Sequence, residues 1–217
     1  NRFVHLTNHA TDVAQEMKAL KAALDEPALT IPWSELLTAA RWHDVGKAHE
    51  VFQSILVEPL PENDLRRSGG PWAKSDHKKG RPNRKHFRHE LASALVLLQH
   101  KESDLAAYLA AAHHGKVRLS IRSLPDEKMP ADGKRFARGI WEGDPLPSVD
   151  LGDGVLTQAL VLNLSFMEMG EGAHGPSWLE RMIRLRDHYG PFKLAWMETL
   201  VRVADWRGTA KEGEVNA

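Results

Sequence analysis

Apolar side chains recur at three- and four-residue spacing in segment after segment of this chain, and that period dictates helices rather than a sheet. Val13, Met17, Leu20 and Leu24 fall on one helical face, in a stretch that should stop near Pro27. Pro32-Trp33-Ser34 has the form of a helix start with Ser34 as N-cap, followed by Leu36, Leu37, Ala40, Val45 and Ala48, with a break expected at Gly46. Leu91, Ala94, Leu95 and Leu98 mark another helix, and Leu105 to His114 the next, which Gly115 is placed to terminate. Ser177 to His188 and Phe192 to Trp206 complete the set, leaving a polar tail from Gly208 that should fray. Val155 to Leu164 has the best strand character, enough for a short hairpin arm. The expectation is an all-α helical bundle with long basic loops and at most a short β-hairpin, folded as a single domain over residues 1–217.

Hydrophobic residues make up 42% of the 217 positions, so the chain can bury a core. No apolar run approaches the ~18–20 residues that span a bilayer, so no membrane partner is expected. No signal peptide precedes the first helix, and the first residue is Asn1, which suits a processed or excised piece of a longer protein. There is no cysteine, which removes disulfides, thiolate zinc sites and cysteine nucleophiles, and fits a reducing, cytoplasmic setting. There are 12 histidines, so a metal would have to be held by imidazole and carboxylate.

The 29 basic and 29 acidic side chains cancel, which predicts no global affinity for nucleic acid. Their distribution differs. Arg66, Arg67, Lys74, Lys78, Lys79, Arg81, Arg84, Lys85 and Arg88 lie in one stretch whose only acid is Asp76. Most of that stretch lies in a Pro- and Gly-rich loop from Pro59 to Arg84. A second long, charged loop runs from Lys116 to Asp150 and contains Lys116, Arg118, Arg122, Lys134, Arg135 and Arg138. The basic stretch is either a track for a phosphate backbone, with the second loop as its opposite wall, or a solvated loop. Trp72, Phe87 and Trp141 lie among these charges, where they could stack bases.

Five features carry metal-ligand chemistry. Trp42-His43-Asp44-Val45-Gly46-Lys47 puts His and Asp about 100° apart on a helix, with Lys47 on the same face one turn on. Alone, a His-Asp dipeptide is common. Ala112-His113-His114-Gly115 doubles a histidine at a helix end, where compensation of the helix dipole is the plain reading. His89 opens a helix, His9 precedes one, and Asp205 stands beside the apolar stripe of the last helix, a costly place unless it is paired or metal-bound. His49, His100, His174 and His188 read as surface residues, and the tryptophans as core or interface. Gly-Lys occurs at 46, 115 and 133, but none completes a phosphate-binding loop.

Taken in order, His9, His43-Asp44, His89, His113-His114 and Asp205 resemble the HD superfamily of metal-dependent phosphohydrolases. Within it they look like the HD nuclease domain of the CRISPR-associated helicase–nuclease of type I systems, the enzyme recruited by the Cascade surveillance complex. The likeness runs from His9 to Asp205. It implies that His9, His43, Asp44 and Asp205 hold one metal, that His89, His113 and His114 hold a second, and that Asp44 bridges them. Lys47 matches the lysine beside the scissile phosphate, so Asp44 and Lys47 are the expected catalytic residues. The resemblance also implies a single-stranded DNA substrate, a helicase domain on the same or a partner chain, and Cascade as partner. On that substrate, two divalent ions about 3.5–4 Å apart would activate a bridging water for in-line attack. Imidazole-rich ligation favours Mn, Ni, Co or Fe, with Zn possible. Lys74, Lys78, Lys79, Arg81, Arg84, Lys85, Arg88, Lys116 and Arg118 are the expected DNA contacts. Two competing expectations remain. One is a phosphohydrolase of nucleotides or cyclic dinucleotides; the other is a catalytically inactive HD module that only binds a partner.

Overall fold

The structure is a computed structural model that describes residues 2–24, 26 and 29–214, with the side chains of 212–214 outside the described set. Seven α-helices are described: α1 (Leu6–Leu24), α2 (Trp33–Trp42), α3 (Glu50–Val57), α4 (His89–Gln99), α5 (Asp104–Ala112), α6 (Trp178–Tyr189) and α7 (Pro191–Glu214). The expected all-α bundle is therefore present. None of the described helices is long and apolar enough to cross a membrane.

α4 and α5 form the centre. Every residue from Glu90 to Leu98 and from Leu105 to Ala112 is buried. A helix that is apolar all round has to sit inside, and the alanines of α5 let its neighbours approach closely. Ser103 Oγ accepts from the Ala106 N–H and caps α5. α1, α2 and α7 flank this pair with amphipathic faces. Leu6, Val13 and Met17 of α1 meet Leu36 and Ala40 of α2 and Met197, Val201 and Ala204 of α7 in one core.

Several local expectations change. Ser34 lies inside α2, whose cap position is Pro32, and no side chain caps that helix. α2 stops at Trp42, so His43 and Asp44 follow it, and Val45–Ala48 forms a 3-10 turn. The expected break is present but begins earlier, at His43, and Gly46 within it is a point of close approach. A Cβ there would stand 2.1 Å from the carbonyl oxygen of His89 and 2.7 Å from Cβ of Ala92. Only glycine lets the turn press on the first turn of α4, where its N–H donates to Ser93 Oγ at 2.9 Å.

The tail does not fray at Gly208. α7 continues to Glu214 because Gly208 packs on Val13 and because Arg207 and Lys211 both pair with the buried Glu16. Residues 215–217, like the expected stop at Pro27, lie outside the described residues.

The loops carry more β structure than one hairpin. Four two-stranded antiparallel pairs are described. β1 (Phe3–His5) pairs with β2 (Trp72–Ser75), tying the basic loop to the N-terminal segment. β3 (Phe136–Ala137) pairs with β4 (Ile140–Trp141), and β5 (Pro145–Leu146) with β6 (Leu160–Val161). β7 (Glu171–Gly172) and β8 (Gly175–Pro176) close a turn before α6, which Ser177 caps by accepting from the Glu180 N–H. The expected arm over Val155 to Leu164 reduces to β6 and one bridge between Asp150 and Leu156.

Candidate metal centre

His9, His43, Asp44, His89, His113, His114 and Asp205 come from α1, the α2 end, α4, the α5 end and α7, and they converge on one spot. Asp44 sits in the middle and is 2% exposed. Its two oxygens face different groups. Oδ2 lies 3.0 Å from His9 Nε2 and 3.3 Å from His43 Nε2. Oδ1 lies 3.1 Å from His89 Nε2 and 3.8 Å from His113 Nε2. Asp205 Oδ1 adds to the first group, 3.3 Å from His9 Nε2 and 3.7 Å from His43 Nε2. His114 adds to the second, its ring centroid 3.9 Å from that of His113 and 5.1 Å from that of His89.

Within each set, His9–His43–Asp44 and Asp44–His89–His113–His114, one ligand atom per residue lies within 4.8 Å of all the others. That is a spacing from which imidazole and carboxylate can hold a metal ion.

The hydrogen bonding fits such an ion. His43 Nδ1 lies 2.8 Å from the Ala40 carbonyl and His113 Nδ1 lies 2.6 Å from the Ala110 carbonyl. A carbonyl only accepts, so Nδ1 of each ring carries the proton and donates it. With the ring neutral, Nε2 is left as a lone pair aimed at the centre. Nε2 of His43, His89 and His113 and Oδ1 of Asp44 are buried and make no hydrogen bond. Buried polar atoms are normally paired, and four orphans converging on one point suit a cation.

Without an ion, the charges in the centre redistribute. Burial opposes charge on His43, but Asp44 and then Asp205 overcome it and push the imidazole up to about 10. Burial would also raise Asp44, yet His43 and Lys47 hold it well below the usual carboxylate range. Asp205 is likewise held low, against its own burial, by the His43 and His9 rings. His113 moves the other way. Its burial, and then the charge on His43, keep it well below an ordinary imidazole. Burial and His89 lower His114 as well.

Lys47 Nζ lies 2.5 Å from Asp44 Oδ2 and is 13% exposed. Gln53 fixes its backbone by donating from Nε2 to the Lys47 carbonyl and to the Trp72 carbonyl. α7 grips the other side. Arg202 Nε donates to the His113 carbonyl at 2.9 Å, three residues before Asp205.

A family model described as "Cas3, HD domain" matches residues 1–212. The chain belongs to the Cas3 HD-domain family. It is thereby a CRISPR-associated, metal-dependent hydrolase of the nuclease type acting on nucleic acid. No curated protein and no solved structure matches the chain.

Around this Cas3 HD centre, the basic residues fall into two groups. Arg67 donates to the carbonyls of Glu58, Leu60 and Pro61. Arg66 pairs with Asp64, Lys74 bonds Thr209, and Arg84 pairs with Asp144. Lys85 lies 4.0 Å from Asp126, and Arg88 Nε lies 4.0 Å from Glu90. Arg118 clasps Glu198, which also accepts from the Tyr108 hydroxyl. Arg66, Arg67, Lys74, Arg84 and Arg118 are engaged within the fold, whereas Lys85 and Arg88 stand 4.0 Å from their acids. Lys78, Lys79, Arg81 and Lys116 are exposed, and no ion pair among the described residues holds them. The Gly80 N–H donates to the Ile55 carbonyl, resting the first three against α3, which follows directly on the Lys47 turn.

Five aromatic or histidine expectations need correction. Trp72 is buried against Phe3 and His5, so it is not a base-stacking surface. Phe87 packs on His49, and Trp141 is covered by the Arg84 guanidinium at 3.8 Å. His49, expected at the surface, is 2% exposed. Its Nδ1 caps α3 by accepting from the Val51 N–H, and its Nε2 faces Asp144 at 3.1 Å. A His before an apolar segment is the only signal for that cap in the sequence, and nothing there points to Asp144. His100 is half-buried against Trp42, whereas His174 and His188 are exposed.

Proposed function

We propose that this Cas3 HD chain cleaves single-stranded DNA with two divalent ions. His9, His43, Asp44 and Asp205 would hold one, and Asp44, His89, His113 and His114 the other. The observation that carries the reading is the division of Asp44, whose two oxygens face two separate histidine groups. The donor set of imidazoles and carboxylates without thiolate suits Mn, Fe, Co or Ni, and also Zn. Such ions neutralise phosphate charge and lower the pKa of a water so that it can act as nucleophile near neutral pH.

The chain's own groups do the rest. Asp44 stays ionised and keeps the two groups in register. Lys47 sits where its ammonium can meet a non-bridging phosphate oxygen and balance the charge that grows there during attack. The exposed Lys78, Lys79, Arg81 and Lys116 offer contacts to a flexible backbone, and engagement by phosphates would make binding salt-dependent. A helicase domain and Cascade would deliver the unwound strand.

Incubation of the Mn-loaded chain with circular single-stranded DNA, dNTPs and cyclic dinucleotides tests this reading. Cleavage of the circle is expected. Hydrolysis of only the small substrates would overturn it in favour of a nucleotide phosphohydrolase, and no hydrolysis of any would favour a binding module. Lys47→Ala should lower kcat about 10²-fold, the scale of losing one preorganised charge, with metal content unchanged by mass spectrometry.

A further inference from the structure

Three of the centre's rings sit at helix ends. For His43 and His113, just past the C-termini of α2 and α5, the carbonyl three residues back lies beside Nδ1. His89 differs because it is the first residue of α4. No preceding helical turn exists to supply that carbonyl. Its Nε2 still points at Asp44 Oδ1, 3.1 Å away. Something other than backbone must therefore select the tautomer that leaves this nitrogen as a lone pair.

The group nearest its other nitrogen is Glu90, whose Oε2 lies 3.6 Å from His89 Nδ1. Glu90 is fully buried and neither of its oxygens makes a hydrogen bond. A carboxylate in that state is costly. Its nearest cation, Arg88, stands off at 4.0 Å, and Arg88 Nε is itself without a hydrogen bond. The fold thus holds a buried acceptor just short of a hydrogen bond with His89, whose Nδ1 has no helical carbonyl three residues back of the kind that His43 and His113 have.

We propose that Glu90 is a positioning residue. It accepts the Nδ1 proton of His89, fixes the ring in the tautomer with a free Nε2, and so builds the half of the centre formed by Asp44, His89, His113 and His114. The proposal rests on the metal reading above for its consequence, but not for its geometry. Carboxylate partners of this kind orient ligating imidazoles and raise their basicity, and losing one costs about 10–100-fold in metal affinity. Glu90 does not belong to either ligand group.

Two measurements test it. The first needs no metal: ¹⁵N NMR of the imidazoles in the metal-free chain. His89 Nδ1 is expected to carry a proton in the wild type and in Glu90→Gln, whose amide oxygen can still accept. In Glu90→Leu the ring should shift towards the Nε2–H tautomer or a mixture. The second is Mn binding by calorimetry, with thermal melts alongside. Glu90→Leu should weaken one of two binding events about 10–100-fold and leave the other unchanged, and Glu90→Gln should recover most of the loss.

An unchanged His89 tautomer and unchanged Mn affinity in Glu90→Leu would overturn the proposal. So would equal weakening of both events, which would mark Glu90 as a general structural acid. If Glu90→Leu does not fold, an Nε2–H tautomer of His89 in the wild type refutes the role directly. A chain that binds no Mn at all would refute the metal reading while leaving the tautomer result to decide on Glu90.

Discussion

Asp44 and Asp144 are both buried aspartates held below the usual carboxylate range, one in the helical bundle and one in the loop layer. Asp144 is satisfied. Arg84 and the Trp141 N–H donate to it, and His49 faces it at 3.1 Å. Its partners lie on α3's cap, the basic loop and β4, so one carboxylate fastens three segments together. Asp44 instead meets the Lys47 ammonium and the His43 ring through Oδ2, while its Oδ1 faces the His89 and His113 rings and makes no hydrogen bond. The same residue type at similar burial thus serves two ends. Where every donor is matched, the group holds structure. Where a buried carboxylate oxygen is left without a donor among imidazoles, the centre suits a cation.

Substitution should separate the two aspartates. Asp44→Ala is expected to remove nuclease activity by at least ~10³-fold, since it takes away a carboxylate common to both ligand groups and with it several kcal/mol of metal-based stabilisation. Bound Mn, measured by mass spectrometry, should fall with it. Asp144→Ala should do the reverse. It leaves Arg84 and His49 without their partner, and about 1–3 kcal/mol of stability should be lost in urea titrations. Mn content at low temperature should hold. Equal effects of both substitutions on metal content would break the distinction.

The charges of the loops divide in the same way. Reversal of Lys78, Lys79 and Arg81 to Glu should weaken single-stranded DNA binding and flatten its dependence on log salt by about 2, near 0.7 for each phosphate that is no longer neutralised. Arg84→Ala should leave that slope in place, because Arg84 is committed to Asp144. An unchanged slope in the triple variant would remove these exposed cations from the path of the substrate.

A smaller effect is expected from protons. His43 is raised from 6.5 to about 10 in the metal-free chain, so it is charged at pH 7 and must lose a proton to ligate. Mn uptake at pH 7 should therefore release about one proton per chain, visible as buffer-dependent calorimetric heats, and affinity should rise with pH. The sign for folding is opposite. The raised His43 stabilises the metal-free chain fully below about pH 6.5, and that contribution is lost as pH climbs through about 10.

The helices and the histidine–aspartate set are legible in the sequence because both are ordered patterns. Apolar period three to four marks α1, α4, α5, α6 and α7, and the seven residues of the centre stand at or near the start, middle or end of separate helices in a fixed order. Pairing over distance is not legible. Arg118 looks like a free cation because Glu198, which clasps it, lies 80 residues on. His49 looks like a surface residue because Asp144 is equally remote in sequence. Trp72 looks like a stacking surface because nothing local announces that β2 turns it inward on Phe3 and His5. Glu90 looks like an ordinary first-turn acid, since burial without a partner has no signature in a string of letters.

α7 has one more consequence. It supplies Asp205 to the centre and, through Arg202, holds the carbonyl of His113. Its Gly208 meets Val13 of α1. Residues 9 and 205 stand at opposite ends of the described chain, so the centre depends on its most distant contact in sequence. During synthesis, a chain that has emerged only to residue 190 carries all five histidines but lacks both the closing acid and the grip on α5. The full set of seven converging side chains is therefore assembled only once α7 is in place.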